Sequence, residues 1–203
     1  MKKVCIIGCK GSGTTILTGY LNGHPDIEFF DEIFTRNEEW THYKRKYPTE
    51  EALAPFLDDF WHKEEFVGKE IRGFNLKYDN IIEKIEDAMF DYLYKNNIAI
   101  IHILRDPQRT FIRDARKGHS ALTLESLGMY INKMRVWKES IREHFGDKDY
   151  LEVRYEDMTR GINITELPRD FEKRVLKFLG VKDMRLVFDG RHCYRKLKIK
   201  YVE

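Results

Sequence analysis

Cysteine, proline, net charge and long apolar runs are all scarce in this chain, and each shortage closes off a class of protein. The three cysteines, Cys5, Cys9 and Cys193, show no paired metal-ligand spacing. Their odd number suits reduced core or loop thiols in a reducing compartment, so the expected location is cytoplasmic. Basic and acidic residues nearly cancel, 36 against 34, leaving a formal net charge of +2. That balance argues against a broad nucleic-acid-binding surface but leaves room for a local anion site. The longest apolar stretches are strand-sized, so no membrane-spanning helix is expected. The opening "MKKVCIIGCK" is interrupted by glycine and lysine too soon to form a secretory signal. One further absence is local. The stretch "GCKGSGTT" (8–15) has the outline of a phosphate-binding loop, yet Thr14 stands where such a loop carries lysine, and Lys10 comes four residues too early.

What is present is an alternation of short apolar runs with helical patterns, without internal repeats. The runs at 4–8, 27–30, 73–78, 98–104 and 150–155 are β-branched or aromatic and mostly apolar on both faces, as strands between two helix layers are. Helical patterns are expected over 14–22, 81–95, 122–145 and 168–179. In 122–145, Leu127, Tyr130, Ile131, Met134, Trp137, Ile141 and Phe145 form one stripe at spacings of three and four. In 168–179, Phe171, Val175, Phe178 and Leu179 do the same. Strands alternating with helices imply βαβ units. The expected fold is a single α/β domain over 1–203: three layers, α/β/α, around a central parallel sheet of about five strands. Ligands of such sheets bind beyond the carboxyl ends of the strands. Residues 36–66 stand apart as an aromatic, charged segment, helical around 49–62. Two readings stay open for it, an acceptor-binding insertion or a solvated helical connection, and Trp40, Tyr43 and Trp61 fit a satellite core equally well.

A strand, a glycine loop and a helix in succession point backbone N–H groups and a positive helix end at an anion. Against G-x-x-x-x-G-K-[ST] the chain supplies Gly8, Gly13 and Thr15. With Thr14 at the lysine position, a nucleoside triphosphatase would lack the ammonium that reaches the terminal phosphates. A tight structural turn is the alternative, but the two hydroxyls after G-S-G at a helix start favour an anion site, to which they can donate.

The longer stretch "GSGTTILTGYLNGHPDIEFFDE" resembles the 5′-phosphosulfate loop of the PAPS-dependent sulfotransferases, [RK]-S-G-T-T-x-L-x-x-x-L-x-x-H-P-x-[VI]. Ser12, Gly13, Thr14, Thr15, Leu17, Leu21, His24, Pro25 and Ile27 fall into step with it. The basic residue of that pattern lines up with Gly11, leaving Lys10 one place early. "HILRDPQRTFIRDARKG" (102–118) resembles the family's 3′-phosphate motif, with Arg105 at a strand end and Pro107 opening a helix. The family's serine eight residues on is Arg113 here, either a charged substitute at the same phosphate or a residue that redirects the site. The alternative for the whole segment is a solvated basic helix face. "DYLEVRYEDM" (149–158) resembles the family's V-R-Y-E-D-[LM], in which Tyr155 and Glu156 brace the sheet. "GFNLKYDN" (73–80) places Lys77 where many members carry a lysine near the transferred group, although Asp79 replaces their proline. The basic segment "DGRHCYRKLKIKY" (189–201) loosely resembles a loop that covers the nucleotide, with a surface tail as the alternative reading.

The resemblance implies a P-loop nucleotide-kinase-like fold and a sulfotransferase using PAPS, with adenosine 3′,5′-bisphosphate as product and no metal required. The acceptor would be an unidentified small molecule, carbohydrate or peptide offering a hydroxyl or amine. Lys10, Gly11, Ser12, Gly13, Thr14, Thr15, Arg105 and Arg113 would hold the nucleotide, and Thr14 and Lys77 would stabilise the departing oxygen. Glu32, at the place where a branch of the family closes this segment with a glutamate, would be the general base, ahead of its neighbour Asp31; adjacent strand residues face opposite ways, so only one of the two would enter the site. His24 is expected to cap or pack a helix end. The rival readings are a P-loop kinase or NTPase and a non-catalytic nucleotide-binding module.

Overall fold

The computed structural model describes residues 1–31, 33, 50–62, 66–77, 83–116, 123–147, 149–160 and 166–188. Its elements follow the alternation of the sequence. Strand β1 (Lys2–Gly8) leads through the glycine loop into α1 (Thr14–Leu21), followed by β2 (Ile27–Phe30) and α2 (Glu50–Trp61). Then come β3 (Ile71–Lys77), α3 (Glu83–Lys95), β4 (Ala99–Leu104), α4 (Pro107–Arg116) and α5 (Leu124–Phe145). Strand β5 (Tyr150–Arg154), the short α6 (Tyr155–Met158) and α7 (Arg169–Leu179) complete the set.

All strand pairings are parallel, and the order across the sheet is β2-β3-β1-β4-β5. The glycine-loop strand therefore lies in the middle. Its onward connection runs to β2 on one side, while that of neighbouring β4 runs to β5 on the other. The carboxyl ends of β1 and β4 thus flank a topological switch point, where open α/β sheets bind ligands.

The two-residue period of β1 divides its side chains between two cores. Val4 and Ile6 join Leu17, Tyr20 and Leu21 of α1 and Phe171, Val175 and Leu176 of α7 on one face. Cys5 and Ile7 join α2, α3 and α5 on the other, through Leu57, Phe60, Met89, Phe90, Trp137 and Ile141. Each such aliphatic or aromatic side chain contributes on the order of 1.5–3 kcal/mol by leaving water, which is why both strand faces are apolar. The three-layer α/β/α fold expected from the alternation is the fold found. Element ends differ by one or two residues: 50–61 in place of 49–62, 71–77 in place of 73–78, and 124–145 in place of 122–145.

Along α5 the inner stripe narrows to Met134, Trp137, Ile141 and Phe145, while Leu127, Tyr130 and Ile131 are only half-buried. In the described part of 36–66, one face of α2 and Phe66 pack into the core while the other face of the helix is exposed. Leu53, Leu57, Phe60, Trp61 and Phe66 are buried, and Phe60 meets Phe30, Phe66 and Phe74 edge-to-face with centroids 5.2–5.5 Å apart. Trp40 and Tyr43 lie outside the described residues. Both described cysteines, Cys5 and Cys9, are buried free thiols. Among the described residues no helix is long and apolar enough to cross a membrane.

Candidate functional site

Because the strands are parallel, their carboxyl ends share one edge, and there the separate sequence signals come together. Gly8 ends β1 with Lys77 of β3 as its partner on one side and Ile103 of β4 on the other. Arg105 follows two residues after Ile103. Alternation of side chains puts Asn75 and Lys77 on the α1 face of the sheet, since Phe74 and Leu76 belong to the opposite core.

The loop itself is built by turn chemistry. The N–H of Ser12 donates to the Cys9 carbonyl at 2.9 Å, closing a four-residue turn. Gly11 occupies its third position with φ +84°, the place where a type II turn needs positive φ. This gives Gly11 a backbone reason in a position where the resembling pattern is basic. Gly13, at φ +97°, opens α1 without any side-chain cap, and no acidic residue lies in the first turn of that helix. A Cβ on Gly13 would lie 2.6 Å from the Tyr155 ring, so the loop rests directly on that aromatic face. The first N–H groups of a helix have no partner within the helix itself. Ser12 is fully buried, with its Oγ lacking any hydrogen-bond partner and lying beneath Gly8. Thr14 is also buried, while Lys10, Thr15 and Lys77 are half-buried.

Two guanidinium groups converge on the loop from the far side of the switch point. Arg105 Nη1 donates to the Gly11 carbonyl at 2.5 Å, and Arg113 Nη1 donates to the same oxygen at 3.2 Å. Arg105 also lies flat over Tyr155, 4.0 Å from the ring centroid, and its Nε is buried without a partner. Between the two arginines, helix α4 starts cleanly. Asp106 Oδ1 accepts from the Arg109 N–H at 3.0 Å as an N-cap, and Pro107 takes the first helical position. The Asp106 N–H in turn donates to Glu156 Oε1 at 3.2 Å, so α6 braces this corner as the resemblance implies. Among the described residues no carboxylate forms an ion pair with Arg105 or Arg113.

A polar network joins the loop to β2 and β3. Thr15 Oγ1 donates to Asp31 Oδ1 at 3.1 Å, the Asn75 amide donates to that same carboxylate oxygen, and the amide also reaches Thr18 Oγ1 at 3.3 Å. Asp31 is 7% exposed. The Thr15 proton thus points at a carboxylate, and an anion in the loop would meet Thr15 as a donor only by exchanging that bond. Motif reasoning ranked Asp31 behind Glu32 and passed over Asn75, yet both lie in this network. Their signal was strand parity, which puts Asp31 and Asn75 on the face that carries α1. Glu32 lies outside the described residues, as do Arg191, Arg195, Lys196 and Lys198. His24 packs as expected, accepting from the Asp26 N–H at 3.1 Å with its other ring nitrogen 3.1 Å from the Lys182 carbonyl.

Comparison with solved structures finds proteins that share the fold. Mouse sulfotransferase SULT7A1, complexed with PAP, is similar at a TM-score of 0.53 and 16% identity, over 90% of this chain. The tunicamycin resistance protein of Deinococcus radiodurans is similar at 0.55 and 15% identity, over 89% of this chain and 96% of its own. The fold is P-loop nucleotide-kinase-like. Shikimate kinase from Bacteroides thetaiotaomicron matches at 0.49 and 12% identity, over 89% of this chain and 99% of its own. The chain spans 59% of the length of the mouse sulfotransferase. Neither a protein-family model nor a curated protein sequence matches the chain. Among the described residues no group of three or more His, Cys, Asp or Glu is placed to hold a metal ion.

Proposed function

We propose that the chain is a sulfotransferase that moves a sulfuryl group from PAPS to a hydroxyl or amine of a small-molecule, carbohydrate or peptide acceptor. The observation that carries this reading is the convergence of Arg105 and Arg113 on a glycine loop, at the switch point, that carries Thr14 at the usual lysine position. The residues fit a doubly phosphorylated nucleotide. Ser12 Oγ and Arg105 Nε are buried polar atoms without partners, and two guanidinium forks match phosphate geometry. When bound, PAPS supplies the sulfuryl group and a phosphate leaving group, chemistry that does not depend on a metal to shield a triphosphate. This chain's own residues then have separable tasks. The loop N–H groups, Thr14 and Lys77 offer preorganised positive charge to a departing oxygen. Arg105 holds the terminal phosphate of the nucleotide. Glu32 takes the acceptor proton as the nucleophile attacks.

A second reading rests on Asp31. A threonine hydroxyl that donates to a carboxylate presents only lone pairs to the site, which suits a cation better than an anion. That arrangement favours a metal-assisted phosphotransferase, with Thr15 and Asp31 facing a divalent ion. Thermal unfolding separates the two. The sulfotransferase reading expects adenosine 3′,5′-bisphosphate to raise the melting temperature more than Mg·ATP at equal concentration. Stabilisation by Mg·ATP alone would overturn it.

A further inference from the structure

The side chain of Arg113 occupies the space that a side chain on Gly11 would enter. A Cβ built on Gly11 would lie 2.8 Å from Arg113 Nη1, 3.4 Å from its Cζ and 3.7 Å from its Cδ. The guanidinium and its last methylene therefore lie in the path of a side chain leaving position 11. The turn over 9–12 demands positive φ at Gly11, so a side chain there would be strained even with Arg113 removed. Glycine in the loop and arginine on α4 are thus a matched pair, 102 residues apart in sequence and joined by the hydrogen bond from Nη1 to the Gly11 carbonyl.

We propose that Arg113 binds the 5′-phosphate side of the nucleotide, supplying from α4 the positive charge that loop position 11 lacks. This assignment rests on the nucleotide reading above and departs from the sequence expectation that Arg113 follows Arg105 to the 3′-phosphate. Three observations support it. Arg113 stands in the last turn of α4, where the helix dipole favours a cation, and it is exposed, with N–H groups beyond the one spent on Gly11. Arg105, by contrast, is fixed by the Tyr155 ring and the same carbonyl. Two like charges brought to one oxygen repel each other, and an anion seated on the loop relieves that repulsion. The third is the fully buried Ser12 Oγ inside the same loop, a polar atom with no partner in the protein.

The test compares three nucleotides by isothermal titration at fixed ionic strength: adenosine 3′,5′-bisphosphate, adenosine 5′-monophosphate and adenosine 3′-monophosphate. Arg113→Gln is expected to weaken the two ligands that carry a 5′-phosphate by a common factor of roughly 10 to 100, the scale of one charge-assisted hydrogen bond. The 3′-monophosphate should bind the variant and the parent alike. Because Arg113 is exposed, the variant should fold, and an unchanged melting temperature without ligand checks this. Arg113→Lys, which keeps the charge but not the fork, should fall between the two. Weakening confined to ligands with a 3′-phosphate, equal weakening of all three, or no weakening would each overturn the assignment while leaving the nucleotide reading standing. A parent protein that binds none of the three overturns that reading itself.

Discussion

Thr15 and Asp31 tie the helix that follows the glycine loop to the end of the second strand, the hydroxyl donating to the carboxylate across 3.1 Å. The same carboxylate oxygen accepts from the Asn75 amide, so one buried acid serves donors from both the loop helix and β3. Replacing Asp31 by Ala should remove one acceptor from the buried Asn75 amide and from Thr15 and cost on the order of 1–3 kcal/mol. Urea unfolding measures this directly. A cycle with Thr15→Val should show coupling of about 0.5 kcal/mol or more, because the two residues share one bond. Strictly additive losses would mean that the contact adds nothing to stability.

Glu32 and Asp31 separate by readout. If Glu32 is the base of the proposed transfer, Glu32→Gln should lower turnover by roughly 10²-fold or more while nucleotide affinity stays put. Asp31→Asn keeps the side-chain size and should act first on stability and loop order. Turnover unchanged in Glu32→Gln together with a large loss in Asp31→Asn would transfer the role to Asp31.

Most of the fold was legible because it depends on local pattern. Apolar runs such as 27–30 and 99–104, separated by stripes such as Met134, Trp137, Ile141 and Phe145, report burial through their periods, and burial is what the layers supply. Arg105 and the glycine loop were legible because turn residues and a strand-ending arginine carry local signatures. The meeting of Arg113 with Gly11 was not, since it depends on how far α4 leans over the loop, which no local pattern records. Asp31 was undervalued for a related reason. Motif spacing drew attention to Glu32, whereas Asp31 owes its contacts to strand parity and to Thr15 in the preceding helix. The segment around Phe60 and Trp61 read as charged and separate, yet its apolar residues fall on one helix face that closes the core.

Arg105 makes its contacts from the surface of Tyr155, 4.0 Å from the ring centroid, which presents the fork at the loop carbonyl. Arg105→Ala should weaken adenosine 3′,5′-bisphosphate by roughly 10- to 100-fold. It should leave adenosine 5′-monophosphate nearly unchanged. Arg105→Lys should recover little, because a single ammonium loses both the fork and the stacking. Equilibrium dialysis suffices to read these affinities. Unaltered bisphosphate binding in Arg105→Ala would put the terminal phosphate elsewhere.

His102 gives the chain an acid sensitivity that is independent of any ligand. It lies within β4, 3% exposed, with Nδ1 3.0 Å from the Tyr150 hydroxyl. That hydroxyl donates to Glu152 at 3.3 Å, so the imidazole belongs to a polar contact between β4 and β5. Burial, then the nearby Arg142 and Lys138 charges, push the His102 pKa down from its ordinary value to about 3. In the unfolded chain the imidazole titrates near ~6.5. Between those values the unfolded state binds a proton that the folded state refuses, so stability is full above the unfolded pKa and falls as pH drops below it. The loss attributable to His102 should reach roughly 2 kcal/mol between pH 6.5 and 4.5. Carboxylates also titrate toward the lower end of that range, so the decisive quantity is the difference between the parent and His102→Asn across a urea-unfolding pH series. The variant lacks the titrating imidazole and should lose correspondingly less stability on acidification. Parallel pH profiles would mean that His102 accepts its proton in the folded protein as readily as in the unfolded one, with the β4–β5 contact opening to let water in.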